Sequence, residues 1–188
     1  MITRRRPVML VTPVLVVAAR LVALAGLVAR ARLVALAGLG LAELAACSDS
    51  ATCGPREAIV ERAIDGDTIV LAGGQRIRYL LVNAPETTDG HQDCYGASAA
   101  KFNADLVVGK RVELAYDAPC TDSFGRALAY ATVDGRDINR LLVERGYACV
   151  LHIPPAGDDR AAELTALEAE ARTAQRGLWG ACRPIPCR

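Results

Sequence analysis

From residue 57 onward, the sequence predicts an α+β domain in which short strands are joined by tight turns and accompanied by amphipathic helices. Two turn signals, Asp65-Gly66 and Gly73-Gly74, separate three short runs rich in Ile, Val and Leu, which indicates a meander of strands. Further along, Ala99, Phe102 and Leu106 recur at helical spacing. With similar signals along the rest of the chain, the sequence predicts five strands and three helices.

Each predicted element has a boundary signal in the sequence. Pro85 ends the third strand, Gly109 ends the first helix, and Asp137 can cap the second helix. Strands are predicted at 58–64, 68–71, 75–82, 111–116 and 128–133. Helices are predicted at 95–108, at 138–145 and from Asp158 or Asp159 to about 177.

The composition narrows the classes of function. The chain has 188 residues, and its first 46 hold six Arg and the single acid Glu43. The remainder carries 16 basic and 20 acidic residues, so a wide basic face for nucleic acid is not expected. Only two histidines occur, which argues against a His-rich zinc site, and any metal chemistry must use the oxygen ligands that suit Ca²⁺ or Mg²⁺.

The first 46 residues are predicted to be a leader. The apolar run 33–44 follows two arginines and has the length of a signal-peptide core. It ends in Leu44-Ala45-Ala46-Cys47, which resembles the bacterial lipobox with Cys47 as the lipidated residue. The alternative is an ordinary signal peptide cut near Ala46, which would give a secreted protein. We therefore expect a leader at 1–46, a linker at 47–56, a domain at 57–180 and a tail at 181–188.

The seven cysteines agree with export. Without Cys47, six remain, and they allow three disulfides in 15 pairings that the sequence cannot resolve. Cys94 with Cys120 is the favoured pair, because both are expected on loops beside the candidate site. Cys182 and Cys187 are expected to secure the tail.

Three separated segments carry the candidate chemistry. They are Asp65-Gly66-Asp67-Thr68, the stretch from Arg78 to Thr87 that contains Ala84-Pro85-Glu86-Thr87, and Thr121–Arg126. Their charged side chains include the two carboxylates of Asp67 and Glu86 and the two guanidiniums of Arg78 and Arg126. Such a set can hold a hard cation against a phosphodiester and stabilise the charge of its transition state.

In order and separation, these segments resemble the staphylococcal nuclease (thermonuclease) family from about Ile59 to Trp179. The resemblance implies a five-stranded OB-fold β-barrel with three helices, and a Ca²⁺-dependent nuclease. It implies that Asp67 is a metal ligand, that Arg78 holds the scissile phosphate and that Glu86 is the general base. Arg126 would stabilise the transition state.

The sequence departs from the family pattern at several positions. Asn83 replaces an acidic Ca²⁺ ligand with a neutral amide, so weaker Ca²⁺ binding is expected, whereas Ala84 still offers a backbone carbonyl. Phe124 replaces a tyrosine near the nucleotide and can still stack. His152 stands where the family often has a tyrosine, and it is either a substrate contact or an ordinary loop histidine.

The sequence therefore predicts an exported, metal-dependent nuclease, anchored to a bacterial membrane by lipid, that acts on single-stranded or denatured DNA and on RNA. The main alternative is a lipoprotein whose OB-fold binds nucleic acid or another ligand without catalysis. Asn83 favours this alternative, and the presence of Asp67, Arg78, Glu86 and Arg126 opposes it.

Overall fold

The computed structural model describes residues 53–88 and 90–187, all within the unit formed by residues 51–188. The predicted leader and Cys47 lie outside the described residues. Within these residues there are eight strands: β1 Glu57–Ala63, β2 Thr68–Leu71, β3 Arg76–Tyr79, β4 Leu81–Asn83, β5 Arg111–Thr121, β6 Ala127–Val133, β7 Arg136–Asp137 and β8 Cys149–Leu151. The same described residues form four helices: α1 Gly96–Val107, α2 Ile138–Glu144, α3 Asp158–Thr173 and α4 Leu178–Ala181.

Five strands close into a barrel, which confirms the predicted fold class. Their order is β3-β2-β1-β5-β6, and a parallel pairing of β3 with β6 completes the circle. In β6 every second residue is buried, as expected for a strand with one face on a core. Ile69, Ile77 and Val112 are fully buried members of that core.

The predicted third strand, 75–82, is wrong in one respect, because the chain turns within it. Leu81 has a φ of 61°, in the left-handed region, so β3 ends at Tyr79 and β4 begins in a new direction. β4 pairs with β8 in a separate two-stranded sheet. This turn brings Asn83 and Ala84 back beside the start of β2.

Buried amides attach the helices to the barrel. Asn103 of α1 donates to the carbonyl oxygen of Asp65 at 2.9 Å and accepts from the Tyr79 hydroxyl at 2.9 Å. Asn139 of α2 accepts from the Ala131 N–H at 2.9 Å and donates to the Leu80 carbonyl at 2.9 Å. Both side chains are fully buried, and such satisfied contacts fix the helices in one position.

The predicted helices begin within one residue of the observed starts, but Gly157 rather than Asp158 or Asp159 is the N-cap of α3, and the C-terminal end is also corrected. α3 ends at Thr173 rather than about 177, and the short α4 follows it. Gly177, with a φ of 55°, separates α3 from α4, and a side chain at that position would collide with the carbonyl of Gly146. Among the described helices, none has both the length and the apolar character needed to span a membrane.

The favoured disulfide is wrong. Cys94 pairs with Cys182 and Cys120 pairs with Cys53, while Cys149 pairs with Cys187. The sequence could not reveal this, because the tail returns to the barrel and its two cysteines meet partners 88 and 38 residues away. The tail is therefore held by two separate bonds, and Cys120 holds the segment that leads into the barrel.

Candidate functional site

One cavity of about 570 Å³ collects the charged residues of all three sequence segments, and we call it the main cavity. Its charged lining residues are Asp65, Asp67, Arg78, Glu86, Asp122 and Arg126. The floor comes from β3 and β4, and one wall comes from the chain that follows β8. Charged residues up to 61 positions apart in the sequence, Asp65 and Arg126, thus share one cavity.

Asp67 lies at the start of β2 and is held by neighbours on three sides. Its carboxylate accepts from the Ala84 N–H at 2.7 Å and from the Thr68 hydroxyl at 3.0 Å. The Nη1 of Arg78 lies 3.2 Å from the same carboxylate, and both side chains are about nine-tenths buried. The pair arises because Thr68 and Arg78 are partners across β2 and β3. Each charge is thereby compensated inside the cavity wall.

Asp65 is a part of this site to which the sequence analysis gave no separate role. Burial, together with the negative charge of Asp67, raises its pKa to about 7, although the hydrogen bond from the N–H of Asp67 opposes the shift. That N–H donates to the Asp65 carboxylate at 2.9 Å. Two adjacent buried carboxyl groups thus lie near one guanidinium. The Asp-Gly-Asp sequence is the signal that could have identified Asp65.

Asn83 and Ala84 line the main cavity together with Asp67. The amide oxygen of Asn83 accepts from the Nη2 of Arg78 at 3.2 Å, and Ala84 contacts Asp67 through its backbone N–H. The candidate metal donors are thus a carboxylate, an amide oxygen and a backbone carbonyl, with Asp65 adjacent. These hard oxygen donors fit Ca²⁺ or Mg²⁺. Within 53–88 and 90–187 there is no group of three or more His, Cys, Asp or Glu residues placed to hold a metal.

Glu86 is fixed by the two residues that follow it. Its Oε1 accepts from the N–H of Thr87 and the N–H of Thr88, each at 2.8 Å, and from the Thr88 hydroxyl at 2.6 Å. Burial alone would raise the pKa of this carboxyl, but these hydrogen bonds outweigh burial and lower it. Glu86 is therefore ionised at neutral pH and points in a defined direction.

Arg126 is positioned by a turn that Asp122 organises. Asp122 accepts from the N–H of Phe124 at 2.9 Å and of Arg126 at 3.0 Å, and from the Arg126 Nε at 2.7 Å. Gly125 supplies the left-handed φ of 74° that this turn needs. Because the Asp122 contact uses Nε, the Nη groups of Arg126 remain the donors available to a ligand.

Of the two predicted substrate contacts, only Phe124 lines the main cavity. Phe124 lines the main cavity, is 81% exposed and lies 5.4 Å from the Arg126 guanidinium. His152 does not line this cavity, and its Nε2 lies 2.7 Å from a carboxylate oxygen of Asp158. The loop-histidine alternative describes His152 better than a substrate contact does. Ile153 and Pro154 line the wall instead, and no polar pattern in the sequence marked Ile153.

These features define an OB-type barrel with a charged cleft built from carboxylates and guanidiniums. Residues 76–181 match the family described as staphylococcal nuclease homologue. The chain is 35% identical over 126 residues to the endonuclease YncB of Bacillus subtilis (strain 168), and 32% identical over 126 residues to the thermonuclease of Staphylococcus intermedius. The chain belongs to the staphylococcal nuclease family.

The coverage of these matches differs between relatives. Each of the two alignments covers 64% of this chain, with 60% of the endonuclease YncB and 74% of the thermonuclease. A second relative from Bacillus subtilis, the SPbeta prophage-derived endonuclease YokF, is 33% identical and is matched over 43% of its length. The chain thus spans less than two thirds of both endonucleases from this organism.

Proposed function

We propose that this protein is an exported, metal-dependent nuclease that hydrolyses phosphodiester bonds of DNA and RNA with little sequence specificity. The observation that carries the proposal is the convergence of Arg78, Glu86 and Arg126 with Asp67 on one cavity. Membership of the staphylococcal nuclease family and relatives named as endonucleases support the reaction class.

In the proposed reaction, the ionised Glu86 accepts a proton from the attacking water. The water oxygen bonds to phosphorus in line with the leaving 5′ oxygen, whose bond breaks and which is then protonated. Arg78 and Arg126 donate to the phosphoryl oxygens and compensate the charge that accumulates on them. Asp67, Asn83 and Ala84 would hold the divalent cation, proposed to be Ca²⁺. When bound, it supplies positive charge beside the phosphate.

The apolar wall supports single-stranded substrates. Phe124 is 81% exposed and Ile153 is 66% exposed, although both are large apolar side chains. Exposed apolar groups beside a phosphate site offer stacking surface to unpaired bases, and duplex bases are not accessible to them. We therefore propose single-stranded or denatured DNA and RNA as the substrates.

Digestion of a labelled single-stranded oligonucleotide across a Ca²⁺ series, then with EDTA, tests the proposal. Wild type is expected to cleave with Ca²⁺ and to stop with EDTA. Glu86→Gln removes the base while keeping the shape, and the rate is expected to fall by about 10²–10⁴. Cleavage by Glu86→Gln at the wild-type rate would contradict the assignment.

Glu113→Gln is the matched control for this substitution. Glu113 is an exposed residue on β5 that does not line the main cavity. Its replacement by Gln changes the net charge by the same amount as Glu86→Gln does. Its rate is expected to equal that of wild type. An equal loss of cleavage rate in Glu86→Gln and Glu113→Gln would indicate a general effect of net charge.

A second candidate function is nucleic-acid binding without catalysis. The observation that favours it is the ion pair of Asp67 with Arg78 beside the neutral Asn83, since a cation must compete with that guanidinium for Asp67. Oligonucleotide binding with no cleavage at any concentration of Ca²⁺, Mg²⁺ or Mn²⁺ would identify this function.

Export and lipid anchoring through Cys47 are part of the proposal. The three disulfides support an oxidising compartment, because cytosolic thiols are kept reduced. Mass spectrometry of the mature N-terminus is the test. A diacylglyceryl-modified Cys47 is expected, and an unmodified chain cut near Ala46 would instead indicate a secreted protein.

A further inference from the structure

We propose that Arg62 and Arg76 form a second phosphate-binding patch, beside the main cavity, that holds the backbone of a single-stranded nucleic acid. The inference rests on the proposed function, since it concerns the same substrate class. It concerns residues outside the three sequence segments, and it extends the binding surface beyond the scissile phosphate.

The patch lines a second cavity of about 480 Å³, which we call the rim cavity. The rim cavity shares Asp65, Glu86, Phe124 and Arg126 with the main cavity, so the two are adjacent. A strand whose phosphate lies between Glu86 and Arg126 therefore has the rim cavity directly beside it.

The register of the barrel places the two arginines together. Val70 of β2 is the partner of Arg62 on β1 and also of Arg76 on β3, so the three residues form one row across the sheet. Partners across antiparallel strands share a face of the sheet. Arg78 lies on this face as well, because it follows Arg76 by two residues.

The distance along β3 suits consecutive phosphates. Two residues along a strand span about 6.6 Å, which is comparable to the separation of neighbouring phosphates in an extended single strand. With Arg78 at the scissile phosphate, Arg76 lies one such step away on the same face. Arg62 then lies two strands across from Arg76 in the same row.

The charges of the patch are available to a ligand. Arg62 and Arg76 are exposed, and no ion pair involves either of them in the part of the chain that the structure describes. Other arginines, such as Arg140 and Arg160, are paired with carboxylates. In a domain with an excess of acidic residues, two unpaired guanidiniums beside the cleft give a local site for phosphate.

The test is the salt dependence of binding of a fluorescein-labelled octathymidylate, measured by anisotropy in EDTA so that the proposed cleavage does not occur. For single strands, the slope of log K against log salt is about 0.7 per neutralised phosphate. The double variant Arg62→Gln/Arg76→Gln is expected to lose about 1.4 from this slope. Arg136→Gln/Arg145→Gln is the matched control, because both residues are exposed and line neither cavity.

Equal slopes for wild type and the Arg62/Arg76 variant would overturn the patch, as would equal losses in both double variants. An absence of octathymidylate binding by wild type would overturn it too. Thermal unfolding shows whether the variants are folded. If a double variant is not folded, its two single substitutions are measured in its place. Cleavage of DNA in Ca²⁺ tests the proposed function separately. Binding that depends on Arg62 and Arg76 without cleavage would leave the patch intact and reject the nuclease.

Discussion

Asn83 lies in the main cavity beside the proposed cation site. Its amide oxygen carries no charge, and it already accepts a hydrogen bond from Arg78. A unit charge at 4 Å contributes about 4 kcal/mol at an effective dielectric of 20, before desolvation is subtracted. The loss of one carboxylate is therefore large enough to weaken Ca²⁺ binding by an order of magnitude or more.

We predict that Asn83→Asp strengthens Ca²⁺ binding at least about tenfold, since it adds the missing charge beside Asp67. Calorimetric titration with Ca²⁺ measures the affinity without any nucleic acid. Gln92→Glu adds the same charge at an exposed loop position and should leave the affinity unchanged. Equal affinities for wild type and Asn83→Asp would show that Asn83 is not at the metal.

Thr88 sets the acidity of the proposed base. Its hydroxyl and its N–H both donate to Glu86 and stabilise the ionised form, so the pKa of Glu86 lies below its ordinary value. We predict that Thr88→Val raises this pKa and moves the acid limb of the profile of kcat/KM against pH upward. Thr87→Val keeps the N–H that Thr87 donates and should leave the limb in place. An unmoved acid limb in Thr88→Val would contradict the role of Glu86.

The turn from Asp122 to Arg126 is the element that orients a proposed catalytic arginine. Asp122 is 17% exposed and accepts three hydrogen bonds within the turn. Burial opposes its ionisation, but the N–H groups and the guanidinium of Arg126 outweigh burial and lower its pKa. Asp122 is a positioning residue, since it acts through Arg126.

We predict that Asp122→Ala lowers the free energy of unfolding by about 1–3 kcal/mol and lowers kcat more than it raises KM. The pKa of Asp122 is depressed on folding. Its stabilising contribution is therefore complete above the ordinary aspartate pKa of about 3.9 and is lost as pH falls through the depressed value. Urea unfolding between pH 2 and 7 should show wild type and variant converging in acid. A constant difference at all pH values would contradict this account.

Elements with local signals were predictable, and those set by distant contacts were not. The starts of β2, α1 and α2 follow from turn, cap and periodicity signals. The run Arg78–Val82 gives no local sign of its turn, because pairing with the segment 149–151 decides the direction of β4. Cys94 and Cys182 are 88 residues apart, so their pairing depends on the complete fold.

The same distinction between local sequence signals and distant contacts applies to the candidate site. The meeting of Arg78, Glu86 and Arg126 in one cavity was predictable, because each stands in a short motif that resembles the family. Asp65 stands in the Asp-Gly-Asp motif, but its raised pKa was not predictable, since it is a consequence of burial. His152 and Ile153 could not be distinguished from the sequence, because only the path of the chain after β8 decides which of them faces the cavity.

At the scale of the molecule, the described disulfides join the ends of the domain to its centre. They close separations of 67, 88 and 38 residues. A disulfide restricts the unfolded chain, and its removal typically costs about 2–5 kcal/mol in a small exported domain. We expect these bonds to supply a large share of the stability of the folded state.

We predict that Cys94→Ser/Cys182→Ser lowers the free energy of unfolding by about 2–5 kcal/mol. Chemical denaturation followed by circular dichroism measures the change. A reductant should lower the free energy of unfolding of wild type by more than that of this variant. The reason is that wild type has three of the described disulfides to lose, whereas the variant has two. A variant as stable as oxidised wild type would show that Cys94 and Cys182 are not bonded.

The central claim is that separated charged side chains act together on one phosphoryl group, and Arg126 tests it most directly. The measurement is the single-turnover rate of cleavage of a labelled single-stranded oligonucleotide in saturating Ca²⁺. Arg126→Gln is expected to lower the rate by about 10²–10³, as for the loss of one donor to a transition state. Arg136→Gln, an exposed arginine outside both cavities, should cleave as wild type does. Wild-type cleavage by Arg126→Gln would contradict the claim.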